Sequence, residues 1–214
     1  YLSGYIPSIT NAFFETMSGF SSTGATILND IEKLPHGLLF WRSMTQWIGG
    51  LGIVFFTIAV LPIFGVGGIQ VFAAEASGPT HDKVHPRIGI TAKWIWGIYA
   101  GLTGTLIILL MFGGMNIFDS ICHAFATTST GGFSTKQASI EYYHSPYIEY
   151  VISIFMFISG INFTLLLLFV NGKLKKFVHD AELKWYFWSV TGFTIVIAAI
   201  LYYNSSMGVE EAFR

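Results

Sequence analysis

The sequence predicts an all-α integral membrane protein built from repeated units of helix, re-entrant loop and helix. Three observations carry that expectation. Hydrophobic residues make up 53% of the 214 and charged residues 11%, too apolar a balance for an ordinary soluble domain. Four stretches contain no Asp, Glu, Lys or Arg, namely Ser43 to Phe64, Trp94 to Phe118, Tyr150 to Gly172 and Trp185 to Val209. Each exceeds the ~20 residues that cross ~30 Å of hydrocarbon as a helix. The tripeptide Ser-Thr-Gly occurs at Ser22-Thr23-Gly24 and again at Ser129-Thr130-Gly131, each time between a short apolar run and a long span.

The elements follow in chain order. Residues 1–64 read as a first short helix, a polar turn and a span. The uncharged run from Tyr1 to Phe14 is too short to cross and suits a segment that dips in and returns, with Asn11-Ala12-Phe13-Phe14 leading into the first Ser-Thr-Gly. The span after it follows Phe40-Trp41-Arg42 and is interrupted by Gly49, Gly50 and Gly52, which form a packing notch in preference to a hinge. Residues 65–90 are a connection in which Gly65-Val66-Gly67-Gly68 bends the chain out of the membrane; it lacks the preceding strand and following Lys of a nucleotide loop.

Residues 91–172 form a complete second repeat. Its first span carries Gly97, Gly101 and Gly104 at helical spacing, a smooth stripe that predicts close helix packing. Its short run, Ser120 to Thr135, repeats the re-entrant pattern, and Asp119-Ser120-Ile121-Cys122-His123-Ala124-Phe125 leads into the second Ser-Thr-Gly. In the span that follows, Ile158-Ser159-Gly160-Ile161-Asn162 lines up with Ile48-Gly49-Gly50-Leu51-Gly52. Residues 173–184 are a second connection, and 185–214 supply the first span of a third repeat. There Glu211-Ala212-Phe213-Arg214 resembles Asn11-Ala12-Phe13-Phe14, so the chain reads as beginning and ending within a larger architecture. Trp41, Trp47, Trp94, Trp96, Trp185 and Trp188 lie toward span ends, where interfacial anchors belong.

Seven of the 11 basic residues sit in the two connections: Lys83, Arg87 and Lys93 in one, Lys173, Lys175, Lys176 and Lys184 in the other. The positive-inside rule makes the loops at 65–93 and 173–184 cytoplasmic, so both Ser-Thr-Gly turns approach from the outside. A net charge of −1 argues against a nucleic-acid partner, and the single Cys122 excludes an internal disulfide. Tyr1 is followed by no signal-peptide pattern.

Non-helical backbone at membrane depth persists only where protein or a water-filled cavity surrounds it. A repeated polar turn there lines something polar. Gly24 and Gly131 open torsions closed to other residues, and Ser22, Thr23, Ser129 and Thr130 can add hydroxyl oxygens to a row of carbonyls. Such a cage of oxygen dipoles without formal charge suits a large, weakly hydrated monovalent cation. The helix before each turn aims the negative end of its dipole at the same place.

Three stretches, Phe13 to Thr26, Leu61 to Gln70, and Ala126 to Thr135, resemble the TrkH-type subunit of bacterial potassium uptake systems, within the Trk/Ktr/HKT superfamily. The resemblance covers essentially the whole chain. It implies a potassium-channel-like arrangement of four helix, pore-loop, helix repeats around one pore, with Gly24 as the first filter glycine and Gly131 as the second. Potassium would be held at Thr23, Gly24, Thr130 and Gly131, flanked by Ser22 and Ser129, as a transported substrate with no covalent cofactor and no enzyme chemistry. Glycine rather than serine at position 24 implies the potassium type over a sodium-permeable one. The resemblance further implies a homodimer in the bacterial inner membrane, gated by a cytosolic nucleotide-binding ring of the TrkA kind. Absent from the chain are the first helix of repeat one, the third filter, the gating loop of repeat three, and the fourth repeat with its pore-facing Arg. A truncated subunit is therefore expected.

Two other classes stay open. A non-conducting scaffold or assembly subunit would use the glycine turns only structurally. A membrane enzyme would use His81, Asp82 and His85, yet Pro79 and Pro86 bracket them and no catalytic Glu follows, which favours a solvated loop. Lys173, Lys175 and Lys176 suit anionic lipid, a regulatory subunit or simple topology anchoring, and Glu15 either fixes its short helix or guides cations.

Overall fold

A computed structural model describes residues 4–52 and 88–204, and every element in them is helical. The bend predicted at Gly65-Val66-Gly67-Gly68, the His81 and His85 loop, Lys83 and Arg87, and the third copy at Glu211 to Arg214 lie outside the described residues.

The first re-entrant segment is α1 (Ile9–Phe20), and the second, called α4 (Ile117–Thr128), matches it at 12 residues. At 1.5 Å per residue each is about 18 Å long, too short to cross the hydrocarbon layer. Their starts are fixed alike. Ser8 Oγ accepts from Asn11 N at 3.4 Å, and Asn116 Oδ1 accepts from Asp119 N at 2.8 Å. Between them run α2 (His36–Gly50) and α3 (Ile88–Phe112). After α4 come a short 3-10 turn, Ser139–Tyr143, and then α5 (Pro146–Ser159), α6 (Phe163–Val170), α7 (Leu174–His179) and α8 (Ala181–Asn204). Two described helices are long and apolar enough to cross a membrane: Lys93–Phe112, with mean hydropathy 1.9, and Ala181–Tyr203, with 1.5.

All four predicted spans differ from their expected bounds, the last beginning at Ala181 instead of Trp185. The span read as Trp94 to Phe118 begins earlier, at Ile88, and ends at Phe112. The chain turns there at Gly114, which adopts φ +93°, while Gly113 leaves no room for a side chain, which would lie 2.8 Å from Ile148 Cγ1. The span read as Tyr150 to Gly172 is two helices, α5 and α6, broken at Gly160-Ile161-Asn162. In the span read as Ser43 to Phe64, α2 starts at His36, well before Ser43, and stops at Gly50, after which Gly52 adopts φ +72°. The connection at 173–184 is largely helical, holding α7 and the first turn of α8.

The two breaks share one device. Tyr99 of α3 stacks on Trp47, with ring centroids 5.5 Å apart, and its hydroxyl donates to the Trp47 carbonyl at 2.9 Å. Tyr186 of α8 stacks on Phe157, with centroids 4.9 Å apart, and donates to the Phe157 carbonyl at 3.1 Å. In each case the tyrosine comes from the next repeat and satisfies a carbonyl near the interrupted end of an inner helix. Glycine makes room for it. A side chain on Gly50 would come within 2.9 Å of the Tyr99 hydroxyl, and one on Gly160 would fall on the Tyr186 hydroxyl. The glycines in the first inner helix are thus both packing notch and break.

Polar groups gather inside and large apolar ones face outward. Glu15, Arg42, Gln46, Thr103, Asp119 and His123 are buried, whereas Phe13, Phe112, Trp185 and Phe193 are at least 65% exposed. That inversion suits a chain whose outer solvent is lipid. The apolar core between α3, α4 and α5 is built from Leu106, Leu110, Met115, Ala124, Ile148, Ile152 and Phe155. The stripe of Gly97, Gly101 and Gly104 meets nothing within 4 Å among the described residues, where α3 packs through its opposite face, Tyr99, Leu106 and Leu110. One sequence expectation fails. Trp47 is no interfacial anchor: it stacks on Tyr99 and Phe125 and donates from Nε1 to Thr103 Oγ1 at 3.0 Å.

Tyr186→Phe in the full-length protein removes one hydrogen bond and costs about 1 kcal/mol of stability, measured by thermal unfolding in detergent. Gly160→Ala displaces the same hydroxyl, so the two substitutions together cost less than their sum, and strict additivity would refute the latch.

Candidate functional site

Both short helices end in the same turn. Ser21 caps α1 and Ser129 caps α4. Beyond the caps, Ser22 N donates to Gly19 O at 3.0 Å and Thr23 N to Ser18 O at 3.0 Å. Thr130 N donates to Thr127 O at 3.0 Å and Gly131 N to Ala126 O at 2.8 Å. Positive φ appears at Ser22 (+52°) and Gly24 (+75°) in the first turn, and at Thr130 (+53°) and Gly132 (+89°) in the second. These patterns pair Ser22 with Thr130, Thr23 with Gly131, and Gly24 with Gly132. The tripeptide match, which pairs Gly24 with Gly131, is therefore one residue out of step. Identical letters misled it, because the second turn offers two adjacent glycines and only the torsions tell them apart.

The turns meet across the repeat boundary. A side chain on Gly24 would fall on the Gly131 carbonyl oxygen, so the two backbones touch. Gly49 of α2 lies against the Phe20 carbonyl at the end of α1, and a side chain on Gly50 would sit 2.6 Å from Ser129 Cβ. The broken end of α2 thus supports the ends of both short helices, whose carbonyl ends carry the negative pole of each dipole. Thr23, Thr130 and Gly132 are exposed, Ser22 and Gly24 are half-buried, and Gly131 is buried.

The predicted hydroxyls are not equivalent. Ser129 is buried and donates to Ala126 O at 3.0 Å, so it caps α4 and does not line the open face. Thr130 Oγ1 donates to Ser129 O at 2.7 Å, Ser22 Oγ to Gln46 O at 3.4 Å, and Thr23 Oγ1 shares a 2.8 Å bond with Ser21 Oγ. With each proton directed elsewhere, the free oxygen lone pairs at Thr23 and Thr130 remain acceptors, as a cation requires.

A buried ion pair ties the turns down. Arg42 Nη2 lies 2.7 Å from Glu15 Oε1, and Arg42 Nε donates to the same oxygen at 2.9 Å, with the side chains 8% and 5% exposed. Glu15 also accepts from Thr26 Oγ1 at 2.9 Å and from Ile27 N at 3.2 Å, which holds the strand leaving the first turn. Arg42 reaches the second turn as well: Nη1 donates to Ser134 O at 3.5 Å, and the guanidinium carbon lies 4.2 Å from the Phe133 ring centroid.

His123 is the structural counterpart of Glu15. It donates from Nδ1 to Asp119 O at 2.8 Å, and its Nε2 lies 3.0 Å from Ser134 Oγ, the counterpart of Thr26. The main-chain carbonyl can only accept, so Nδ1 carries a proton, and Nε2 meets a hydroxyl that can bond it in either role. Asp119 completes the second brace by accepting from Thr135 Oγ1 at 2.6 Å and Asn116 Nδ2 at 2.8 Å. Sequence reasoning singled out Glu15 but missed Arg42, Gln46, His123 and Gly132. A lone Arg at the mouth of an uncharged span was the available signal, since it faces a lone acid in a neighbouring apolar run.

Arg42→Leu leaves Glu15 buried without a counter-charge and costs about 3–5 kcal/mol, seen as lost folded protein in membranes. Glu15→Gln in the Arg42→Leu background restores part of that yield.

The family described as "TrkH: Cation transport protein" matches residues 2–203. "Trk system potassium uptake protein TrkH" of Escherichia coli (strain K12) is 45% identical over 215 aligned positions, covering 96% of this chain and 44% of that protein. The protein of the same name from Halomonas elongata is 40% identical over 209 positions, covering 97% and 43%. The crystal structure of the potassium transporter TrkH from Vibrio parahaemolyticus superposes with a TM-score of 0.78 at 35% identity, over 96% of this chain and 42% of that one. The chain thus spans less than half the length of these relatives. On sequence and structure alike, it belongs to the TrkH family of cation transport proteins.

Proposed function

We propose that this chain supplies two of the filter loops of a potassium uptake pathway. The observation that carries the reading is the meeting of two helix-terminated turns of one conformation, with Gly24 against the Gly131 carbonyl. Carbonyl and threonine oxygens around Thr23, Gly24, Thr130, Gly131 and Gly132 replace water around the ion and then return it. The oxygens offer a field without a formal charge, and the balanced Glu15–Arg42 pair behind them adds none. Names given to the relatives support potassium as the ion.

The same proposal places the turns on the outer side of the bacterial inner membrane and the basic stretches at 65–93 and 173–184 in the cytosol, supported by the distribution of Lys and Arg. The homodimer, the cytosolic nucleotide-binding ring and passive permeation belong to it too, on the family resemblance. A non-conducting scaffold accounts for the left-handed torsions at Ser22 and Thr130, which close α1 and α4 as ordinary helix-ending turns, but gives no reason for the two turns to meet at Gly24 and the Gly131 carbonyl.

The test is potassium and sodium uptake by cells lacking their own potassium transporters and expressing the full-length transporter that carries this segment. Gly24→Ser meets both an unfavourable torsion and the Gly131 carbonyl; Gly132→Ser meets the torsion alone, with nothing within 4 Å. Gly24→Ser is therefore expected to abolish growth at low potassium, and Gly132→Ser to weaken it or admit sodium. Uptake and selectivity unchanged in both variants would leave the turns structural and remove the ion pathway.

A further inference from the structure

We propose that Gln46 of α2 is a specificity-determining residue, the spacer that sets the separation of the two filter strands. The inference rests on the filter reading above. Gln46 is 0% exposed, a placement that a side-chain amide tolerates only with a structural reason. Its Oε1 accepts from the main-chain N–H of Phe133 at 3.1 Å, immediately beyond the second turn. The rest of its amide lies flat against Gly131: a side chain there would sit 2.6 Å from Nε2 and 2.7 Å from Oε1. Nε2 also lies 3.7 Å from where a side chain on Gly24 would begin, so one amide touches both strands.

The glycines around it divide their reasons. Gly24 and Gly132 adopt positive φ, whereas Gly131 does not. Gly131 is glycine because Gln46 fills the space behind it. The amide therefore acts as a wedge whose length sets how far the Gly131 carbonyl stands from Gly24. Arg42 lies four residues earlier, on the same face of α2, and its guanidinium covers the Phe133 ring. Phe133 is held at its backbone by one residue and at its ring by the other, so the second strand cannot slide along the first. Selectivity between cations of different radius depends on cage size and on the field of the coordinating oxygens, and this wedge sets the first of these between adjacent loops.

The experiment measures the ratio of potassium to sodium uptake in the full-length transporter at matched membrane abundance. Gln46→Met keeps the side-chain length and removes the acceptor for Phe133. It is expected to lower the ratio severalfold, because the second strand loses the bond that fixes its spacing from the first. Gly131→Ala drives a methyl into the amide and lowers the ratio too, and Gln46→Ala in the Gly131→Ala background recovers part of it by opening the space. That rescue decides the matter where Gln46→Met fails to accumulate. A parental ratio in Gln46→Met, or no rescue in the double variant, while Gly24→Ser loses uptake and Gly132→Ser alters the ratio, overturns the spacer and leaves the filter standing. Parental uptake in Gly24→Ser together with a parental ratio in Gly132→Ser removes the filter reading and this inference with it.

Discussion

Burying a carboxylate and a guanidinium costs several kcal/mol per ion unless each finds the other. Glu15 and Arg42 pay that penalty together, and the arrangement of the site depends on their doing so. The pair is the only position where α1, α2, the strand after the first turn and the strand after the second all converge on one charged group among the described residues. Among the described residues neither has another charged partner, and both are nearly closed off from solvent. Wherever Arg42 goes Glu15 must follow, and Thr26, Ile27 and Ser134 are drawn to the same point. Two turns from different repeats are thereby fixed against each other by groups that do not line them.

The second repeat solves the same problem with other groups. A histidine stands where the first repeat has its acid, a serine stands where it has a threonine, and Asp119 holds Thr135 beside them. Equivalent geometry from different chemistry is what a duplicated architecture permits once its copies diverge. It also explains why this kinship is faint in the letters: what the two copies keep is the distance between a short helix and the strand leaving its turn.

Much of the architecture was legible in the sequence because membranes constrain composition and length severely. The apolar balance, the uncharged spans and the doubled Ser-Thr-Gly sufficed for an all-α repeated membrane fold, and Phe13 to Thr26 carried the family. Span ends were not legible. Gly114, Gly160 and Gly52 interrupt helices for reasons that lie in another element, in Tyr186, or in a local torsion. A run of apolar letters looks continuous whether or not a distant hydroxyl takes one of its carbonyls. Within the site, the correspondence of the two turns was legible only to within one residue, because Gly131 and Gly132 differ only in torsion and neighbours. Gln46 was invisible for the same reason: a lone amide in an apolar span signals nothing until the backbone it supports is in place.

The tyrosines at the two helix breaks bear on where such a chain divides. Trp47 and Phe157 each leave a carbonyl that the following repeat closes, through Tyr99 and Tyr186. Each of these two units therefore finds the donor for its open carbonyl outside itself, in the first span of its successor. A boundary drawn between them would cut through the last polar bond of the unit before it.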